Sequence, residues 1–94
     1  MTSPIKQFHA VIQGRVQGVG YRFFARNQAN KLGIFGWVKN LPDDDVEVLA
    51  QGPEDVLKQF LIQLGKGPEM SYVQNVDVDW ETPERIYTAF DIHF

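Results

Sequence analysis

"IFGWVKNLPDDDVEVLAQGP", residues 34 to 53, contains two strand-like runs joined by an acidic turn. The runs are "IFGWVKNL" at 34–41 and "VEVLAQ" at 46–51, with the turn-forming residues "PDDD" at 42–45 between them. A connection this short predicts a β-hairpin. Its place in the chain decides the fold, because a helical pattern lies on either side of it.

Upstream, Tyr21, Phe24, Ala25, Gln28, Ala29 and Leu32 recur at helical spacing, and Gly33 supplies the stop. Before them, "FHAVIQ" at 8–13 alternates, with Phe8, Ala10 and Ile12 on one strand face and His9, Val11 and Gln13 on the other. Downstream, Pro53 takes the expected first helical position, and Glu54 and Asp55 complement the positive helix end. Val56, Leu57, Phe60, Leu61 and Leu64 form that helix's buried stripe, and "GKGP" at 65–68 ends it. A long strand, "VQNVDVDW" at 73–80, and a short one, "TAFDIHF" at 88–94, complete the chain. The order β-α-β-β-α-β plus a terminal strand predicts an α+β, ferredoxin-like split β-α-β sandwich, with two helices on one face of an antiparallel sheet.

Composition agrees. A chain of 94 residues, 44% hydrophobic and with short apolar runs, is expected to form one soluble domain over residues 1–94. Cysteine is absent, which excludes disulfides and thiolate chemistry. The net charge is −3 and the nine Lys and Arg are scattered, which disfavours a nucleic-acid partner. "MTSPIKQFHA" has no basic stretch followed by an apolar run, so no signal peptide or membrane association is expected and the cytoplasm is the default location.

The split topology has a functional consequence. Its first two strands run parallel with the third inserted between them, so their carboxyl ends share one edge, roughly 10 Å apart. The stretch "GRVQGVGYRFF" at 14–24 leaves the first strand there, and Asn40 ends the second. Three glycines within 14–20 can turn backbone N–H groups inward, the helix dipole adds positive potential, and the fork of Arg22 can grip two phosphoryl oxygens. The plainer alternative is a tight turn beside a solvated arginine. The stretch lacks the Lys-Ser/Thr of a P-loop, and Phe23 fills the last glycine position of G-x-G-x-x-G. An arginine in a first turn opposes the helix dipole, however, and a bound anion compensates it.

"GRVQGVGYR" at 14–22, followed by Asn40 in "GWVKN" at 36–40, closely resembles the two signature motifs of the acylphosphatase family. The likeness extends over essentially the whole chain, through "VEVLAQG" and the closing "FDI". It implies a ferredoxin-like enzyme that hydrolyses the carboxyl-phosphate bond of small acyl phosphates without metal or cofactor; a monomer is expected. The family's phosphate-binding arginine falls on Arg22 and its water-positioning asparagine on Asn40. The phosphate-loop amides fall on Val16, Gln17, Gly18, Val19, Gly20 and Tyr21. One departure is Asp44, which stands where the family usually has a turn glycine.

Other polar residues are expected to be unremarkable. Asp43, Asp44 and Asp45 lack the alternating spacing of a calcium loop and read as a solvated turn. His9 and His93 have no ligand partner at metal spacing and read as surface or rim residues. Arg15 and Arg26 read as solvent-facing, with Arg26 at most steering substrate. Lys39 faces away from Asn40 by strand alternation. The aromatics Phe35, Trp37, Phe60 and Trp80 read mainly as core. Two rivals remain: an RNA-binding sheet, disfavoured by acidity and by the lack of an aromatic-basic motif, and a noncatalytic anion-binding domain.

Overall fold

The computed structural model describes residues 4–94. The reading of residues 1–3 as free of a targeting signal lies outside the described residues. In chain order the elements are β1 (Lys6–Arg15), α1 (Tyr21–Leu32), β2 (Phe35–Asn40), β3 (Val46–Gly52), α2 (Glu54–Lys66), β4 (Tyr72–Glu81) and β5 (Phe90–His93). The ferredoxin-like frame and its extra terminal strand are both present.

The strands are ordered β4-β1-β3-β2-β5. Because β3 is antiparallel to both β1 and β2, those two run parallel and their carboxyl ends meet at one edge, with β3 between them. The sheet is mixed, however, not wholly antiparallel, because β5 lies parallel to β2. β4 runs down to the end of the sheet where β1 begins, with Glu81 opposite Gln7, and β5 starts at that same end, with Phe90 opposite Gly36. Residues 82–89 therefore cross beneath the sheet, and the chain re-enters in the direction of β1 and β2.

Gln51 holds that crossing. Its Nε2 donates to the Arg85 carbonyl at 2.6 Å and to Gln7 Oε1 at 2.7 Å, and its Oε1 accepts from the Tyr87 N–H at 2.9 Å. Gln7 passes the network on to Glu81 at 2.8 Å. Two buried glutamines are tolerated here because their polar atoms are paired, where an unpaired one costs about 1–3 kcal/mol.

The helices cover one face. Phe8, Ala10, Ile12, Val38, Val46, Val48 and Ala50 point from the sheet to Ala25 and Ala29 of α1 and to Leu57, Phe60 and Leu64 of α2, all fully buried. The small residues of α1 let its backbone approach the sheet, while the larger ones of α2 fill the remaining depth; burying each large apolar side chain contributes about 1.5–3 kcal/mol. α1 ends as the sequence predicts: Gly33, at φ 71°, turns the chain so that the Ile34 N–H reaches the Ala29 carbonyl at 2.8 Å. α2 begins one residue later than expected. Pro53 is its N-cap, with ψ 145°, and its carbonyl accepts the first helical bond from Leu57 at 2.9 Å.

Of the four aromatics read as core, Phe60 alone is fully buried. Phe35 and Trp80 are nearly half exposed. Trp37 lies on the open face, stacked on His93 at 5.4 Å. A sheet with helices on one side only leaves alternate strand residues uncovered, and these aromatics fall near its rim or on that side. No helix among the described residues is long and apolar enough to cross a membrane.

Candidate active site

The loop at residues 16–20 is built by alternation. Val16 and Tyr21 are buried and Val19 packs against the core, while Gly18 and Gly20 face outward. Anchors and exposed backbone thus alternate. Gly18 at φ 74° and Gly20 at φ 78° both take the left-handed conformation that L side chains avoid, though each has open space around it. Gly14 is different: an added Cβ would lie 2.1 Å from the Tyr72 carbonyl, where β1 bulges against β4.

Gly20 caps α1 without a side chain, and the helix has no acid in its first turn. The first-turn N–H groups therefore meet no side-chain acceptor, which leaves the positive end of the helix open toward the loop. Tyr21 fixes that end in another way. Its buried hydroxyl donates to the Leu64 carbonyl of α2 at 2.6 Å, and burial pushes its pKa well above the usual tyrosine value.

Arg22 projects toward the β2–β5 side of the sheet. Its guanidinium lies 4.7 Å from the centre of the Phe94 ring, and Nη1 is 3.4 Å from the His93 carbonyl. Lys39 pairs with His93 across β2 and β5, so the next residues along the chain, Asn40 at the end of β2 and Phe94 just past β5, lie at the same sheet end. The arginine and the asparagine are therefore gathered at one sheet end, as the sequence expects. Asn40 Oδ1 is the one buried side-chain polar atom among the described residues that has no hydrogen-bond partner.

The turn after Asn40 is closed by the Leu41 N–H donating to the Asp45 carbonyl at 2.8 Å. Asp44 has φ 74°, the left-handed geometry anticipated for a position usually held by glycine. Asp43 and Asp44 are exposed, and Asp43 Oδ1 accepts from the Asp45 N–H at 3.3 Å. Among the described residues, no three His, Cys, Asp or Glu side chains are grouped to hold a metal ion.

Sequence reasoning missed three features. The Gln17 side chain donates to the carbonyls of Leu41 and Asp45, at 2.8 Å each, so this loop residue also reaches the hairpin turn. Carbonyl and ring from the end of the chain face Arg22. His9, read as a surface or rim residue, meets Glu47 at 2.5 Å on the open face, where Lys39 also contacts Glu47 at 3.4 Å. The pairing of β1 with β3 carries the first contact, and no local pattern signals it. Arg26 lies over the Phe23 ring at 5.2 Å, and Arg15 is exposed as expected.

Comparison with known proteins gives a consistent result. The acylphosphatase family model matches residues 8–92. The chain is 51% identical over 71 residues to an acylphosphatase of Thermus thermophilus, covering 76% of this chain and 81% of that one. It is 42% identical over 88 residues to an acylphosphatase of Bacillus velezensis, covering 94% and 98%. The crystal structure of the Bacillus subtilis acylphosphatase superposes with a TM-score of 0.92 at 37% identity, covering 95% of this chain and 99% of that one. A glycine-rich loop, an uncapped helix end, an arginine and an asparagine at one edge of a ferredoxin-like sheet thus come with a match over nearly the whole chain: the protein belongs to the acylphosphatase family, hydrolases of small acyl phosphates.

Proposed function

We propose that Arg22 and the backbone amides of Val16 to Tyr21 bind the phosphoryl group of an acyl phosphate, and that Asn40 holds the attacking water in line with phosphorus. The working unit in this reading is a single-domain cytoplasmic monomer acting without metal or cofactor. The observation that carries the mechanism is Asn40 Oδ1, buried and without a partner at the same sheet end as Arg22. A buried acceptor left unpaired costs about 1–3 kcal/mol, and a bound water removes that cost.

The chemistry needs little else. The leaving group is a carboxylate, stable as an anion, so no general acid has to protonate it. Water oxygen bonds to phosphorus as the bond from phosphorus to the bridging oxygen breaks, and the bridging oxygen leaves with the carboxylate. The water proton passes to a phosphoryl oxygen, because the amide of Asn40 orients water but does not titrate near neutral pH. Arg22 and the loop amides neutralise charge on the remaining oxygens throughout, so positioning and electrostatics supply the rate.

The test is hydrolysis of acetyl phosphate in the presence of a chelator, with inorganic phosphate as competitive inhibitor. Asn40→Ala is expected to lower kcat about 100-fold or more with phosphate inhibition retained, the loss expected for misplacing one reactant. Arg22→Ala is expected to lose both activity and inhibition, as deletion of a charge-assisted bidentate contact predicts. A wild-type chain that binds phosphate without turnover would identify an anion-binding domain instead.

A further inference from the structure

Gln17 lies in the phosphate loop, yet its side chain serves the opposite half of the site. An amide NH2 carries two hydrogens, and both of those on Gln17 are used, one on the Leu41 carbonyl and one on the Asp45 carbonyl. Leu41 directly follows Asn40, and Asp45 directly precedes Val46, the residue paired with Asn40 across β2 and β3. One side chain therefore bridges both rims of the turn beside the water-positioning amide.

The sheet offers no equivalent link. β3 separates β1 from β2, so the ladder reaches from Ile12 to Asn40 only through Val46. Beyond these last rungs β1 pairs only with β4, up to Arg15, so no ladder joins the loop to the turn. Among the described residues, no hydrogen bond outside the regular elements other than the two from Gln17 joins residues 16–20 to residues 41–45. The turn is closed by its own 2.8 Å backbone bond from Leu41 to Asp45, but it also carries three adjacent carboxylates, a non-glycine residue at φ 74° and a long 3.3 Å bond from the Asp45 N–H to Asp43. A neutral donor fits the task, since it pairs with both carbonyls without placing another charge beside the phosphoryl site.

We propose that Gln17 is a positioning residue for the hydrolysis: its side chain sets the separation between the phosphate loop and Asn40, and with it the line from water to phosphorus to leaving group. The inference rests on the roles given above to the loop and to Asn40. Its signature is a loss of rate without a matching loss of phosphate affinity, because the loop amides and Arg22 remain while their alignment with the water is lost.

The experiment compares Gln17→Met, of similar length but without donors, with wild type, Asn40→Ala and the double variant, each checked for folding by circular dichroism. Gln17→Met is expected to lower kcat about 10- to 100-fold while the inhibition constant of inorganic phosphate changes by less than about threefold, the pattern of misplacement by a fraction of an ångström to 1 Å. In the Asn40→Ala background the same change is expected to add little, since the water is already unheld. Gln17→Glu supplies a second test: its protonated carboxyl donates one bond, whereas its carboxylate faces two carbonyl oxygens. Its kcat relative to wild type should fall as pH rises through the carboxyl titration. The proposal is overturned if Gln17→Met keeps the wild-type kcat, if the two losses multiply in full in the double variant, or if Gln17→Glu tracks wild type across pH. A full-rate Asn40→Ala overturns the catalytic reading and this inference together, whereas a slow Asn40→Ala beside a full-rate Gln17→Met overturns this inference alone.

Discussion

In its first turn α2 carries Glu54 and Asp55, and Glu54 also reaches Lys58 one turn on at 3.3 Å; α1 carries no acid there and places Arg22 in the same position. Both helices present the same partial positive charge at their N-termini. α2 neutralises its own, and starts from Pro53 at an ordinary turn out of β3. Neither helix has a side-chain cap, but α1 starts from a left-handed glycine and adds a cation, choices that cost an isolated helix a few tenths to about 1 kcal/mol. One helix end carries its own neutralising acids, whereas the other carries none, which suits the anion-binding role proposed for it. Its structural support comes from elsewhere, through the Tyr21 hydroxyl on Leu64 and the burial of Val16.

The contrast is broken most directly by giving α1 the acid that α2 has. Phe23 is half exposed in the first turn, so Phe23→Glu is expected to fold. A carboxylate roughly 6 Å from a bound phosphate opposes it by about 1.5 kcal/mol, close to a tenfold rise in the inhibition constant of inorganic phosphate. The melting temperature should hold or rise slightly, because an acid at this position suits the dipole. Phosphate inhibition and a thermal melt on the same variant check the opposed signs, and unchanged inhibition would show that the helix end contributes nothing to anion binding.

Tyr21→Phe removes the tie that replaces a cap. It is expected to cost about 1–2 kcal/mol in urea unfolding, because the buried Leu64 carbonyl loses its donor. The pH dependence has a definite sign. Burial raises the folded-state pKa above the ordinary 10.0, so the stabilisation is complete below that pH and is lost as pH rises, when the unfolded chain ionises and the folded chain does not. Wild type should therefore lose more stability than Tyr21→Phe between neutral pH and about pH 11. Equal losses would remove the phenol from the account.

The smallest effect is expected at the α2 end. Glu54→Gln weakens the dipole interaction and the exposed pair with Lys58, and should lower stability by about 0.5 kcal/mol with acetyl phosphate hydrolysis unchanged. A loss of activity there would mean that the two helix ends are coupled, against the division drawn above.

The difference between the helices was legible in the sequence, because caps, first-turn charges and apolar stripes depend on neighbours within one element. Gly33, the stripe of α1 and the Phe8, Ala10 and Ile12 face of β1 appear where periodicity places them. Arg22 and Asn40 could be named from their motifs, and strand order alone brings their ends to one edge. The direction of β5 was not legible, since a connection of eight residues, 82–89, allows either direction and Gln51 selects one by pairing with Arg85 and Tyr87. Phe35 and Trp80 looked like core because composition says neither which face of a strand the helices leave bare, where Phe35 lies, nor which strand forms an edge, where Trp80 packs beside Phe8.

What the sequence determined by itself was each element, its boundaries to within a residue or two, and the residues proposed here to bind an anion and orient a water. Tertiary structure alone decided that Gln17 reaches across to the hairpin turn, that Arg22 lies over Phe94, and that Asn40 Oδ1 is enclosed without a partner. The reason is the range of the forces involved. Periodicity and capping act over three or four residues, whereas a side-chain amide selects its acceptors among whatever the completed sheet brings within 3 Å, here from residues 24 and 28 positions away.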